Sequence, residues 1–457
     1  MKLQSPDGPV QATTPVRFAD TLPDGCDVTI IGGGVIGIFA ALYMARAGIK
    51  VAVCEKGRIA GEQSSRNWGW IRQHGRDEAE LPIMMEASRL WEEADRDTGN
   101  RTGFQRRGVT YLASSQKKLD ELAGWLDTAR EHQLDTRVLS KSEVDRLIDR
   151  SAMQKDRHQW VGATHTASDG RAEPWMAVPA VAELARKEGV TIREDCAVRG
   201  LDIAAGRVRG VVTEAGRIAC EQVIVAAGAW SSLFLQRHGI NIPQLSVRST
   251  VCQSAPLPEF LSGNAGDENI SFRRREDGGY TLAGGAASDH YIGRDSFRNM
   301  FKYLPVFRHH VADTRLRLMA PKGFPDAWST VRNWADDEPG PFEAMRVLNP
   351  KPNLRQIEKI RNNFSQRFPD IGKPEIRHAW AGMIDAMPDI VPIVDRVPSL
   401  EGLVVATGMS GHGFGIAPGF GRILAAMVQN REHGHDIGRF RFSRFTDGSP
   451  IVPGPDL

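Results

Sequence analysis

The stretch from Asp27 to Glu55 constrains the fold more than any other. A β-branched apolar run, Val28-Thr29-Ile30-Ile31, leads into Gly32-Gly33-Gly34-Val35-Ile36-Gly37, and Ile38 to Ala47 continues as a small-residue helix. Gly48 stands where a helix-ending glycine belongs, and Val51 to Cys54 forms a second apolar run that ends on Glu55. Each glycine has a separate task. Gly32 makes the turn out of the strand, Gly34 lets the backbone approach a pyrophosphate, and Gly37 lets the helix pack on the sheet. Unpaired N–H groups of the first helical turn, around Ile36, face phosphate, and Glu55 can accept from a ribose diol. Strand, glycines, helix, strand and acid occur in the order that binds a dinucleotide.

The remaining composition mainly excludes. The 457 residues give core enough for two or three domains. A net charge of +2 calls for no nucleic acid. Cys26, Cys54, Cys196, Cys220 and Cys252 are scattered without metal-ligand spacing, so no metal is expected, and an odd free set suits a reducing compartment. No apolar run reaches the roughly 20 residues of a membrane span. Residues 1–24 are polar, carry prolines and lack the apolar stretch of a signal peptide, so they read as a flexible arm and the location as cytoplasmic.

Beyond Glu55 and Lys56 the chain reaches Ser64-Ser65-Arg66-Asn67-Trp68-Gly69-Trp70-Ile71-Arg72-Gln73-His74-Gly75-Arg76. A polar, glycine-bearing loop with two tryptophans and three arginines, directly after a nucleotide-binding unit, reads as a ligand wall. Leu81 to Asp97 has helical spacing. Phe104 to Val161 alternates strands and amphipathic helices without a chemical motif. Trp175 to Glu188 reads as a helix, and a β-meander follows from Val190 to Cys220. The run Arg273-Arg274-Arg275 reads as a solvated hairpin end because acids follow it. Residues 289–353 are proline-broken and irregular, suited to a lid or a subunit contact. Leu354 to Phe368 puts Leu354, Ile357, Phe364 and Phe368 on one helical face.

Two further motifs lie far from the first. Val225-Ala226-Ala227-Gly228-Ala229-Trp230-Ser231 ends an apolar strand in small residues, and Thr407-Gly408-Met409-Ser410-Gly411-His412-Gly413-Phe414-Gly415 is a second strand–glycine loop–helix. Together with Gly32-x-Gly34-x-x-Gly37 and Glu55, they resemble the FAD-dependent amine and amino-acid oxidoreductases, the family of D-amino acid oxidase, glycine oxidase and sarcosine oxidase. The likeness runs from about Cys26 to Gln429.

The resemblance implies an α/β chain: a discontinuous Rossmann-like FAD-binding domain (25–100, 166–245 and 380–435) with an inserted antiparallel-sheet α+β substrate domain (101–165 and 246–379) and a tail (436–457). It implies that Gly32, Gly34, Ile36, Gly37, Glu55 and Lys56 hold the ADP half of FAD. Ser64, Ser65, Arg66, Asn67 and Trp68 would run past the pyrophosphate, and Val198 would lie by the adenine. Ala227, Gly228 and Trp230 form the second FAD segment, and Gly411, His412, Gly413, Phe414 and Gly415 lie under the flavin. Arg72 falls where sarcosine oxidase-like members bind the substrate carboxylate. His74 and Asp385 are pocket candidates, and His412 is either a base or a structural imidazole. Gly382 replaces the cysteine that bonds flavin in sarcosine oxidases, so FAD is expected to be non-covalent. Gly415 replaces a substrate-binding lysine, and the oxygen-reactive lysine has no clear match. The implied reaction is oxidation of the C–N bond of an amino acid, N-substituted amino acid or opine-like substrate, with O2 or a downstream acceptor taking the electrons. The alternatives are an FAD-binding subunit of a hetero-oligomeric dehydrogenase and a hydroxy-acid dehydrogenase of the same fold. A homo- or hetero-oligomer is compatible with either.

Overall fold

The computed structural model describes residues 8–148, 160–285, 288–310 and 314–454, the side chains of 306–310 excepted. The sequence expectations for the start of the arm, for 149–159 and for the last three residues lie outside these.

The strand–glycine–helix stretch founds a six-stranded sheet. Its order is Ile393–Arg396, Leu403–Thr407, Gln222–Val225, Val28–Ile31, Val51–Cys54 and Thr191–Arg193. All neighbours are parallel except the first pair. Strands covered on both faces need no polar alternation, which is why Val28–Ile31 and Leu403–Thr407 are buried throughout. The helices Val35–Arg46, Leu81–Asp97, Pro174–Lys187 and Gly413–Val428 bury their apolar sides in one continuous core with this sheet. Val198–Ala204, Arg207–Thr213 and Gly216–Ala219 form the antiparallel meander and pack in a second core on the opposite face. Residues more than 350 positions apart thus share one sheet, so the nucleotide unit is assembled from distant segments.

The second sheet has ten strands among the described residues. It is mostly antiparallel but mixed: Asn264–Gly266 runs parallel to Val109–Ala113, and Ser288–Tyr291 parallel to Thr314–Arg317. The helix Leu354–Arg367 covers part of it through Ile360 and Phe364, which pack with Phe260, Tyr280 and Phe368 in a third core.

Four features differ from the sequence reading. The arm is packed from Val10 onward. Val10 and Phe18 are buried, Ala19 bridges the edge strand at Arg193, and Glu194 accepts from the Arg17 and Phe18 amides at 2.7 and 3.3 Å. Two apolar anchors and an open sheet edge hold an otherwise polar segment. The expected domain limit at 380 falls inside Ile376–Ala386, which pairs along its length with Leu245–Ser254 in the large sheet. The arginine run is not a solvated hairpin end: Arg273 and Arg275 are buried, and Arg273 forms a two-pronged ion pair with Glu173 at 2.8 and 3.0 Å. The stretch read as irregular holds a 17-residue helix, Arg294–His310.

Candidate active site

A cavity of about 740 Å³ runs between the two sheets. It is at the large end of small-molecule sites. The nucleotide motif forms one end. A Cβ on Gly32 would lie 2.5 Å from Ala226 O, and one on Gly37 would lie 2.2 Å from Gly32 O, so both glycines are required by packing. A Cβ on Gly34 would lie 3.2 Å from Ser64 Oγ, tighter than an ordinary contact. Gly34 also begins the helix without a side-chain cap. Ser64 Oγ accepts from the Val35 amide at 2.9 Å, which ties the ligand-wall loop to that helix end. Glu55 accepts from the amides of Gly33 (2.7 Å) and Gly57 (2.8 Å). Burial nevertheless pushes its carboxyl up to about 7, and a diol donating to it would favour the ionised form. A glycine cradle against a helix start, with a buried acid one strand away, fits the ADP half of a dinucleotide.

Of the residues assigned to the cofactor from sequence, Gly32, Gly34, Ile36, Glu55, Lys56, Ser64, Arg66, Asn67, Trp68, Val198, Ala227, Gly228, Trp230 and Gly411 to Gly415 line this cavity. Gly37 and Ser65 do not: Gly37 packs beneath the turn, and Ser65 Oγ accepts from the Val10 amide of the arm at 3.1 Å. Two of the lining cations are already engaged. Lys56 Nζ donates to Glu62 and to the carbonyls of Met345 and Arg346, and sits 4.4 Å from the centre of the Trp230 ring. Arg66 donates through both terminal nitrogens to Asn349, Ala381, Val10 and Gly61. These two brace the wall more than they reach into it.

The far end is built by the ligand-wall loop. Trp70–Ile71 pairs with Gly170–Arg171, and Asp169 clamps the next turn by accepting from the Gln73 and His74 amides at 2.7 and 3.3 Å. This fixes Arg72, which is only 9% exposed. Its Nη1 donates to His74 O (2.5 Å), and its guanidinium lies 5.7 Å from the Tyr111 ring centre. Its Nε and Nη2 make no hydrogen bond to a described residue, and the side chain lines the cavity. Arg76 lines the same end. Burial, aided by the Arg72 charge, lowers it to about 9. Nearby Glu80 and Asp169 are raised by burial to about 7 and about 6. Among the described residues neither guanidinium forms an ion pair, and Asp169 is turned to the Gln73 and His74 amides, so this end carries unpaired positive charge.

The other three candidates also line the cavity; Asp385 and His412 direct polar atoms at neighbouring backbone, whereas His74 Nδ1 is buried without a hydrogen-bond partner among the described residues. Asp385 Oδ2 accepts from the Gly408 amide at 2.8 Å and from Thr407 Oγ1 at 3.3 Å, so it ties the large sheet to the glycine loop. Burial raises its carboxyl. His412 caps the helix Gly413–Val428; its Nε2 lies 3.1 Å from Ile390 O and its Nδ1 3.4 Å from Glu80 Oε2. Burial, with the charges of Arg76 and Arg72, holds it neutral. His74 stacks on Trp125 and meets Tyr111 edge-on, and burial lowers it to about 3. An imidazole that releases its proton so readily is a weak general base.

Sequence reasoning missed Tyr111 and Trp125. Both lie in the stretch without a motif, yet with Trp68, Trp70 and His74 they complete an aromatic wall beside Arg72. It also missed Trp91, whose Nε1 donates to Gly415 O at 2.9 Å and holds the terminal glycine loop. Among the described residues no group of three metal-ligating side chains occurs, and no helix is long and apolar enough to cross a membrane.

Comparison with known proteins places this geometry. The family model described as "FAD dependent oxidoreductase" matches residues 27–427. The chain is 24% identical to the beta subunit of sarcosine oxidase from Rhodobacter capsulatus, over 93% of this chain and 90% of that one. It is equally 24% identical to human mitochondrial sarcosine dehydrogenase, over 92% of this chain but only 42% of the human protein, so it spans less than half of that relative. Among solved structures it resembles the L-amino acid deaminase of Proteus myxofaciens in complex with anthranilate, with a TM-score of 0.89 and 27% identity over 96% of this chain and 98% of that one. The match to the family model spans the glycine turn, both later motifs and the large sheet between them, and the chain belongs to the FAD-dependent oxidoreductase family.

Proposed function

We propose that this chain oxidises the C–N bond of an α-amino acid or N-substituted amino acid, using non-covalently held FAD. The observation that carries the reading is Arg72, a buried guanidinium with two donors unspent at an electropositive cavity end. A carboxylate suits it because two oxygens meet parallel N–H donors. The relatives support the substrate class, since those compared are named for sarcosine and for L-amino acids.

Bound FAD supplies the acceptor for two electrons and the α-hydrogen. The residues of the chain position and exclude. Arg72 holds the carboxylate, with Arg76 behind it adding charge. Trp68, Trp70 and Tyr111 keep water from the α-carbon, so the Arg72 contact acts at low dielectric. Asp385, His412 and His74 are not required to take a proton, because a substrate entering as the neutral amine has none to give up at nitrogen before oxidation. The substrate loses its α-hydrogen with two electrons and becomes an iminium, whose nitrogen keeps its proton and leaves with the amine. Water then adds, and the oxo acid and the amine separate. Gly382 offers no thiol to the flavin, so acid precipitation is expected to leave all the flavin in the supernatant.

A second reading, an FAD-bearing subunit of a hetero-oligomer, rests on the likeness to a protein named as a beta subunit. One experiment divides the two. Under anaerobic conditions a panel of D- and L-amino acids, N-methyl amino acids, opines and hydroxy acids is added to the holoprotein and the visible flavin band is followed. Bleaching by an amine class is expected, and recolouring in air distinguishes O2 from another acceptor. Bleaching by hydroxy acids alone would overturn the C–N assignment. No bleaching with FAD bound would favour the subunit.

A further inference from the structure

All five cysteines are free thiols, yet four of them lie in two pairs. Cys54 and Cys196 meet in the core and are 1% and 0% exposed, closed to any solute. Cys26 and Cys220 differ: Cys26 is partly exposed, between exposed Gly25 and Asp27, while Cys220 is buried.

The backbone sets this second pair face to face. Val28 stands against Gln222 in the parallel pairing of Val28–Ile31 with Gln222–Val225, and a parallel bridge sets Gly25 against Ala219. Both pairings have the same offset, so the register puts Cys26 against Cys220, and the Cys26 amide donates to Ala219 O at 2.9 Å. Neighbouring strands run about 4.8 Å apart, inside the roughly 4.4–6.8 Å between Cα atoms that a disulfide spans. The side chains converge as well. Cys26 Sγ lies 3.4 Å from Thr29 Oγ1, and the Cys220 thiol bonds to Cys26 and to the same threonine side chain. The contact between the thiols draws Cys26 down to about 7, against burial and the Asp27 charge, and with burial it raises Cys220. A reachable thiol that ionises near neutrality, beside a buried one, is the arrangement of an attacking and a resolving cysteine.

We propose that Cys26 and Cys220 form a reversible disulfide in response to hydrogen peroxide. The Cys26 thiolate attacks one peroxide oxygen, the O–O bond breaks, and water leaves with Cys26 held as a sulfenic acid. The Cys220 sulfur then attacks the Cys26 sulfur, the S–O bond breaks, and a second water leaves. The two sulfurs give up two electrons, and one peroxide becomes two waters. The new bond staples the entry ends of the two strands whose far ends carry Gly32 and Ala226.

The reduced, FAD-loaded full chain would be treated with a small excess of hydrogen peroxide, unfolded in N-ethylmaleimide and digested without reduction. Mass spectrometry is expected to find peptides joined through Cys26 and Cys220, and the count of free thiols should fall by two. The melting temperature of the oxidised holoprotein should rise by about 5 °C, because the bond closes a long loop. Dithiothreitol should reverse both changes. Cys220→Ser should stop at a Cys26 sulfenic acid that dimedone traps, and Cys26→Ser should show neither the joined peptides nor the shift. The proposal is overturned if peroxide leaves all five thiols free, if the joined cysteines are Cys54 and Cys196 alone, or if Cys26 oxidises to the sulfinic acid without joining Cys220.

Discussion

At the scale of single residues, the proposal turns on the two free donors of Arg72. Arg72→Ala removes a charge-assisted contact at a buried site and leaves the substrate carboxylate unpaired. The expected loss in kcat/KM is about 2–4 kcal/mol, on the order of 30- to 1000-fold. Arg72→Lys should recover only part of it, because an ammonium cannot present two parallel donors. Steady-state kinetics with whichever amine bleaches the flavin gives the answer, and an unchanged kcat/KM in the alanine variant would remove Arg72 from the site. The loop reads as a ligand wall because it follows the nucleotide unit and is too rich in Arg and Trp for an ordinary turn, while Arg72 itself is singled out by the family resemblance. Lys56 and Arg66 show the limit of such reading. They were assigned to the cofactor by position, but their donors go to carbonyls and side chains as far away as Arg346 and Asn349, and no local pattern reveals those. Tyr111 and Trp125 were silent for a related reason: each becomes part of the site only when the large sheet is laid across the nucleotide unit.

At the scale of elements, the glycine turns were legible because a turn that must avoid a Cβ leaves its requirement in the sequence. Gly34 and the two glycines packed against backbone oxygen do so. Ion pairing between elements leaves no such trace, and the Arg273-Arg274-Arg275 run was misjudged for that reason. Glu173 is the residue immediately before the helix Pro174–Lys187, and Arg273 lies on a strand of the large sheet, so their pair bolts the two units together. Both side chains are 1% exposed. Burial raises the Glu173 carboxyl, but the three arginines around it, Arg273, Arg275 and Arg171, hold it below the ordinary value. Breaking a pair this deep strands a charge, so Arg273→Met should cost about 3–5 kcal/mol in urea unfolding. The double variant Glu173→Gln/Arg273→Met should recover much of that loss, because no uncompensated carboxylate remains. If the single variant unfolds like wild type, Arg171, 3.4 Å from Glu173, is sufficient by itself.

At the scale of the whole molecule, three distant segments meet behind the cavity. Glu80 precedes the helix Leu81–Asp97, Arg76 ends the ligand-wall loop, His412 belongs to the terminal glycine loop, and Ile390 follows the large sheet. The C-terminal segment closes this junction: Arg444 pairs with Asp389 at 2.7 Å, and Arg439 approaches Asp77 at 3.6 Å. With Nε2 directed at Ile390 O, neutral His412 turns an Nδ1 lone pair towards Glu80 Oε2 3.4 Å away, and a proton on the carboxyl relieves the repulsion between them. Burial supplies it by raising Glu80 from an ordinary 4.5 to about 7, although Arg76, Arg72 and Arg439 pull the other way and Asp77 adds to the rise. The unfolded chain releases that proton near pH 4.5, and the folded chain keeps it to about pH 7. Across this window the native state binds the extra proton, so the Glu80 contribution is full below 4.5 and declines as pH rises. Glu80→Gln stays neutral across this range. Its unfolding free energy should therefore fall less than that of wild type between about pH 5 and about pH 7.5. Buried Glu55 and Asp169 titrate in both proteins and cancel from the difference. Urea melts of the two proteins across that range measure it directly, and parallel curves would mean that the junction holds no proton of its own.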